Sequence, residues 1–131
     1  MSGPILDRLD LQVEVPALTS AELLAASLGD ASAMVRERVL AARAVQRARG
    51  ALNAQLSNAA LREHAALDSA GRRLVAEAVD RGGMSARGVH RALRVARTIA
   101  DLAGEDRVSA TRLAEALQYR AYEARRAMAS P

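Results

Sequence analysis

At 131 residues, 50% of them hydrophobic, the chain is long enough for one ordinary domain whose core would be built from Leu, Val and Ala. It has no cysteine, which excludes disulfide scaffolding, thiolate catalysis and cysteine-ligated zinc. The formal charge of +4 sets 19 basic residues, all of them arginine, against 15 acidic ones; that balance is compatible with a nucleic-acid partner but does not require one.

In chain order, residues 2–16 (SGPILDRLDLQVEVP) come first. Leu9, Leu11, Val13 and Val15 alternate with Asp10, Gln12 and Glu14, the period of a strand with one apolar face, and Pro16 ends the run. A lone strand needs a partner for its backbone groups, so this orphan strand is expected to end a sheet whose other strands lie elsewhere. Residues 1–16 are then expected to be mobile or paired with another molecule. Thr19 and Glu22 form a capping-box pattern with Leu18 and Leu23 as staple, and Gly29-Asp30 stops that helix. Ser32 is the expected cap of a longer helix reaching about Arg49, with Val35, Val39, Ala42 and Gln46 on one side and Gly50 as its stop.

Residues 51–57 read as an irregular connection and 58–64 as a short helix. Asp68 opens the next helix, with Leu74, Val75, Ala78 and Val79 apolar and Gly82-Gly83 at its end. Ser85 caps a long helix to about Ala103 with a stripe of Val89, Leu93, Ala96, Ile99 and Ala100, and Gly104 stops it. Ser109 caps the last helix, with Leu113, Ala116 and Leu117 inward, and the tail 124–131 is expected to fray. An Ala-rich chain whose sole aromatics are Tyr119 and Tyr122 favours closely packed helices, so the fold class is all-α, a five- or six-helix bundle behind the strand stub.

No GxxxxGK[ST] loop is present to cradle a triphosphate, and His64 and His90 lack HExxH spacing, so no metal site is expected. The serines lack a GxSxG context, and several sit at helix caps. No apolar run nears the roughly 18 residues of a membrane span and no secretory signal is visible; a cytoplasmic protein is expected. Arg8 sits beside Asp7 at the start of the strand-like run. From there it can reach across a subunit boundary as an arginine finger, or remain a surface residue paired with Asp7 or Asp10. Arg87, in the first turn of the helix capped by Ser85, opposes the helix dipole. It can join the backbone amides in holding an anion, or lie on a solvated face. Arg87, Arg91 and Arg94 share one face by spacing, and Arg36, Arg43 and Arg47 share another. Both stripes suit a nucleic-acid backbone or open solvent, and neither is interleaved with aromatics for base stacking.

These pieces resemble a known family. Residues 2–16, 35–43 (VRERVLAAR), 52–57 (LNAQLS), 61–64 (LREH), 85–104 (SARGVHRALRVARTIADLAG) and 113–120 (LAEALQYR) are similar to the C-terminal part of the magnesium-chelatase-like AAA+ ATPases of bacteria, the YifB/ComM group. The resemblance implies that residues 1–16 end an ATPase core and that 17–131 form its helical lid. It places Arg8 on the arginine-finger position, acting in trans. It places Arg87 on the sensor-2 position, with Arg91 as the alternative. It implies a parent that binds ATP and Mg2+, forms a ring, as a hexamer, and remodels DNA in the manner of a branch-migration motor. The Walker motifs would lie outside this chain, so the chain alone is expected to bind no cofactor and hydrolyse no ATP. Two other readings stand beside this one: a metal-insertion motor subunit of the true magnesium-chelatase type, and a stand-alone helical module binding DNA or protein.

Overall fold

The computed structural model describes residues 3–6, 8–25 and 29–120, and all of its regular structure is helical. The elements are α1 (Gly3–Leu6), α2 (Ser20–Leu24), α3 (Ser32–Ala48), a 3-10 turn at Asn53–Gln55, α4 (Asn58–His64), α5 (Ser69–Asp80), α6 (Ala86–Leu102) and α7 (Ala110–Gln118). Short polar side chains start five of these helices. Thr19, Ser57, Asp68, Ser85 and Ser109 each accept from the backbone N–H three residues on, and at α2 Glu22 reaches back to complete the capping box. Each such cap contributes about 1 kcal/mol by satisfying an amide that the helix cannot.

The expected Ser32 cap is not realised. Ala31 holds the cap position of α3 without a side-chain bond, and Ser32 is already helical. At the other end the chain leaves α3 through Gly50 at φ +96°, and it leaves α6 through Gly104 at φ +70°; a Cβ disfavours both conformations.

α6 is the axis of the bundle. It packs along α7 and also meets α3, α4 and the Asn53–Gln55 turn, while α5 closes on α7. The core joins Leu56, Leu61, Ala65, Leu93, Ala96, Ala100, Val108, Leu113 and Ala116. Four of these are alanines, which let the helix backbones approach closely; Leu61 and Leu113, both fully buried, supply the bulk.

The N-terminal third lies outside this core. α2 buries no residue. Leu18 and Leu23, the expected staple, are exposed, as are residues 32–41 of α3. Val35 and Val39 therefore do not belong to the buried side of α3, which consists of Ala42 and Gln46. The helix meets α6 through its C-terminal half, and its first turns project beyond the bundle.

Residues 9–19 form neither helix nor strand, so the alternating pattern is not built into a ladder among the described residues. Exposure rises along it, from 40% at Leu9 to 84% at Val15. The segment nevertheless has partners inside the chain: Gln12 N–H donates to the Tyr119 carbonyl at 3.0 Å, and Arg120 Nη1 donates to the Leu9 carbonyl at 2.9 Å. The expectation that this stretch pairs with nothing in its own chain is thereby corrected at Leu9–Gln12.

Candidate functional site

α6 carries the arginines that spacing singled out. Its first turn is fixed by the Ser85 hydroxyl, which accepts from Gly88 N–H at 3.1 Å. Gly88 itself is buried, and a Cβ there would meet Met84 Cγ at 2.9 Å. With Ala92, Leu93, Ala96 and Ala100 turned inward, Arg87, Arg91 and Arg94 are left off the buried stripe. They do not end up equivalent. Arg87 stays exposed in the first turn. Arg91 and Arg94 line a groove of about 650 Å³ together with Asp10, Leu11, Val13, Ala54, Val95, Thr98, Ile99, Leu102 and Tyr119.

The groove joins an apolar wall to a charged rim. Asp10 Oδ1 accepts from Arg91 Nη1 at 3.4 Å, with the two side chains 61% and 20% exposed. Arg94 is tied down on its far side: Nη2 donates to the Leu56 carbonyl at 2.9 Å and to Asn58 Oδ1 at 3.3 Å. Arg8 is exposed, two residues before Asp10, and its backbone N–H donates to the Ile5 carbonyl at 3.0 Å. Asp7 and Tyr122 lie outside the described residues. Asp10 is paired with Arg91. Tyr119 sits at the groove edge and donates its hydroxyl to Glu115 at 3.0 Å, which raises the phenol above its ordinary pKa.

The arginine stripes divide in the same way. Arg97, one turn beyond Arg94 and off the α6 arginine stripe, faces the core with 1% exposure. Arg49, the C-cap residue just past the α3 stripe, also turns inward, with its side chain 16% exposed. Arg36, Arg43 and Arg47 remain on the exposed surface of α3, and the last two border a notch of about 260 Å³ with Gly50, Ala51, Leu52 and Gln55.

What sequence reasoning missed is the polar hub beneath these surfaces. Asp101 has no exposed side-chain area; its Oδ2 accepts from Arg49 Nη1 at 3.1 Å and Asn53 Nδ2 at 2.8 Å, and its Oδ1 accepts from Arg97 Nε at 3.1 Å and from Arg49 Nη2. Burial pushes the Asp101 carboxyl up, but the bonds from Arg49 and Asn53 and the two guanidinium charges outweigh it and hold the group below the usual carboxylate value. Arg97 spends its remaining donors on the carbonyls of His64 (3.2 Å), Asp106 (2.8 Å) and Glu105, joining the end of α4 to the α6–α7 loop. Asn53 completes the hub, taking Gln46 Oε1 on its backbone N–H at 3.1 Å and donating to Thr98 Oγ1 at 3.0 Å. Every charge in it is paired, so the hub is architectural. The signal was present in the sequence: Arg97 and Asp101, four apart, continue the buried stripe where apolar residues belong.

A family model described as "Magnesium chelatase, subunit ChlI C-terminal" matches residues 29–120. The chain is similar to the competence protein ComM of Haemophilus influenzae, with 43% identity covering 92% of this chain and 24% of that protein. It is also similar to the uncharacterized protein YifB of Salmonella typhimurium, with 40% identity covering 94% and 25%. An uncharacterized protein of Mycobacterium tuberculosis is 42% identical, covering 96% and 26%. The chain thus spans about a quarter of the length of these relatives.

Proposed function

From the premise that this chain belongs to the magnesium chelatase subunit ChlI C-terminal family and forms the C-terminal region of a magnesium-chelatase-like AAA+ ATPase, we propose that it is the lid of a ring-forming motor that acts on DNA. The observation carrying this reading is the position of Arg87. It stands exposed in the first turn of α6, next in sequence to Gly88, whose N–H is capped by the Ser85 hydroxyl, and so at a helix N-terminus that favours an anion. Such an arrangement suits one phosphate of a nucleotide held mainly by another part of the parent, because this chain has no phosphate-cradling loop of its own. Arg91 is the alternative contact, since it needs only to exchange Asp10 for a phosphate.

Arg8, exposed and unburdened by the core, is the trans-acting finger of this reading. ATP with Mg2+ supplies the transferable phosphoryl group, and the Arg8 guanidinium offers fixed positive charge to its terminal phosphate on the neighbouring subunit of the ring, a hexamer in this proposal. The cargo in this reading is DNA, remodelled in the manner of branch migration; the Haemophilus influenzae relative's designation as a competence protein is what inclines the reading this way. The second reading is metal insertion into a porphyrin, and the family description, which names magnesium chelatase, is what supports a motor of that type. ATP turnover stimulated by DNA and indifferent to a chelatase partner subunit selects the first.

The test is Arg8→Ala in the full-length motor. Turnover should fall by about 10³-fold or more while nucleotide affinity stays nearly constant. Unchanged turnover removes the finger assignment.

A further inference from the structure

We infer that the outer face of α3 is a track for the phosphate backbone of double-stranded DNA, carried by Arg36, Arg43 and Arg47. The inference rests on DNA being the cargo and adds where this chain would touch it. At 100° per residue the three arginines fall within about 40° of one another on the helix. At about 1.5 Å per residue their Cα atoms are spaced by about 10.5 Å and about 6 Å, so the stripe runs about 16 Å along the helix. Duplex DNA carries one phosphate per about 3.4 Å of its axis on each strand, so a stripe of this length faces a dense run of negative charge.

Three observations separate this stripe from ordinary surface charge. First, none of the three has an ion-pair or hydrogen-bond partner among the described residues, whereas neighbouring Arg38 is paired with Asp30 at 3.3 Å and Arg49 is taken up by Asp101. Second, the sole acidic residue of α3, Glu37, lies about 100° around the helix from Arg36, leaving the stripe free of opposing charge. Third, Arg43 and Arg47 border the notch beside Gly50, a concavity next to two forked donors that suits a phosphate better than a flat surface does. The chain's aromatics are confined to Tyr119 and Tyr122, so nothing on α3 stacks with a splayed base. That favours backbone contact with a duplex over capture of a single strand.

The test is duplex binding by this 131-residue chain across a salt series. Two variants each lose three positive charges: R36A/R43A/R47A on α3, and R62A/R73A/R107A, whose arginines are exposed on other parts of the bundle. The α3 variant should bind about 10-fold or more weakly at about 50 mM salt. Its slope of log affinity against log salt should be shallower by about 2.7, three contacts at about 0.9 each. The control should keep most of the affinity and slope. Equal losses in both variants overturn the track and leave net charge as the cause. So does full competition by polyglutamate at matched charge, which would make the surface a general anion patch. No binding by the unaltered chain overturns it too; DNA-stimulated ATP turnover in the full-length motor then still reports separately on whether DNA is the cargo.

Discussion

Arg49 and Asp101, 52 residues apart in the chain, meet in the interior through two hydrogen bonds, one to each carboxylate oxygen. Arg49 ends α3 and Asp101 lies in the last turn of α6, so this pair fixes where α3 leaves the bundle. It thereby fixes which face α3 turns to solvent. Arg97 holds the same carboxylate from one turn away on α6.

Asp101→Ala tests how much of the fold depends on that carboxylate. The variant leaves two guanidinium groups buried without their counter-charge, and such breaks cost about 3–5 kcal/mol. Arg38→Ala, which removes the exposed partner of Asp30, should cost about 0.5 kcal/mol or less. Urea unfolding followed by helical circular dichroism compares the two. A cost below about 1 kcal/mol for Asp101→Ala would mean that the hub contributes little to holding α3 against α6.

Much of the helical frame was legible before the fold was seen, because caps are local. Asp68, Ser85 and Ser109 announce α5, α6 and α7 by their own chemistry, and Gly50 and Gly104 mark exits that need positive φ. The failures are tertiary. Among the described residues, Val35 and Val39 carry a helical stripe that stays exposed, and residues 9–15 carry a strand period with no ladder to join. Periodicity reports which face is apolar and says nothing about whether a partner is present. The candidate groove was half legible: spacing put Arg91 and Arg94 near each other, but the meeting of Arg91 with Asp10 spans 81 residues and has no local signature.

The acid limb of stability should belong chiefly to Asp101. Its folded pKa lies below its unfolded value of about 3.9, so its stabilisation is fully present above that value and is lost as pH falls through the folded pKa. Glu22, lowered by the Thr19 backbone and side chain, and Glu105, lowered by Arg112, act in the same direction at the surface, where solvent screens them. Stability should therefore hold level from neutral pH to about 5 and decline below about 4. Asp101→Asn should be less stable at neutral pH and show a flatter acid decline. An acid limb of unchanged steepness in that variant would assign the loss to other carboxylates.

The strap formed by Leu9–Gln12 should open without the bundle unfolding. It is held by Arg120 to the Leu9 carbonyl, by the Gln12 amide to the Tyr119 carbonyl, and by Arg91 to Asp10. The last of these is a long contact whose Asp10 side lies in solvent, worth about 1 kcal/mol or less and weakened by salt. Hydrogen exchange at the Gln12 amide reads the strap directly, and the Ala100 amide, inside the core helix, reads global opening. Asp10→Asn should speed exchange at Gln12 by about 2- to 5-fold, and Arg120→Ala by about 10-fold, a change of about 1.4 kcal/mol. The Ala100 amide should be unaffected in Asp10→Asn. Because Arg8 stands two residues before Asp10, a released strap also frees the segment that carries it. If Gln12 and Ala100 exchange at matching rates in every variant, the strap opens only with the whole fold, and Asp10 exerts no separate control over where Arg8 can reach.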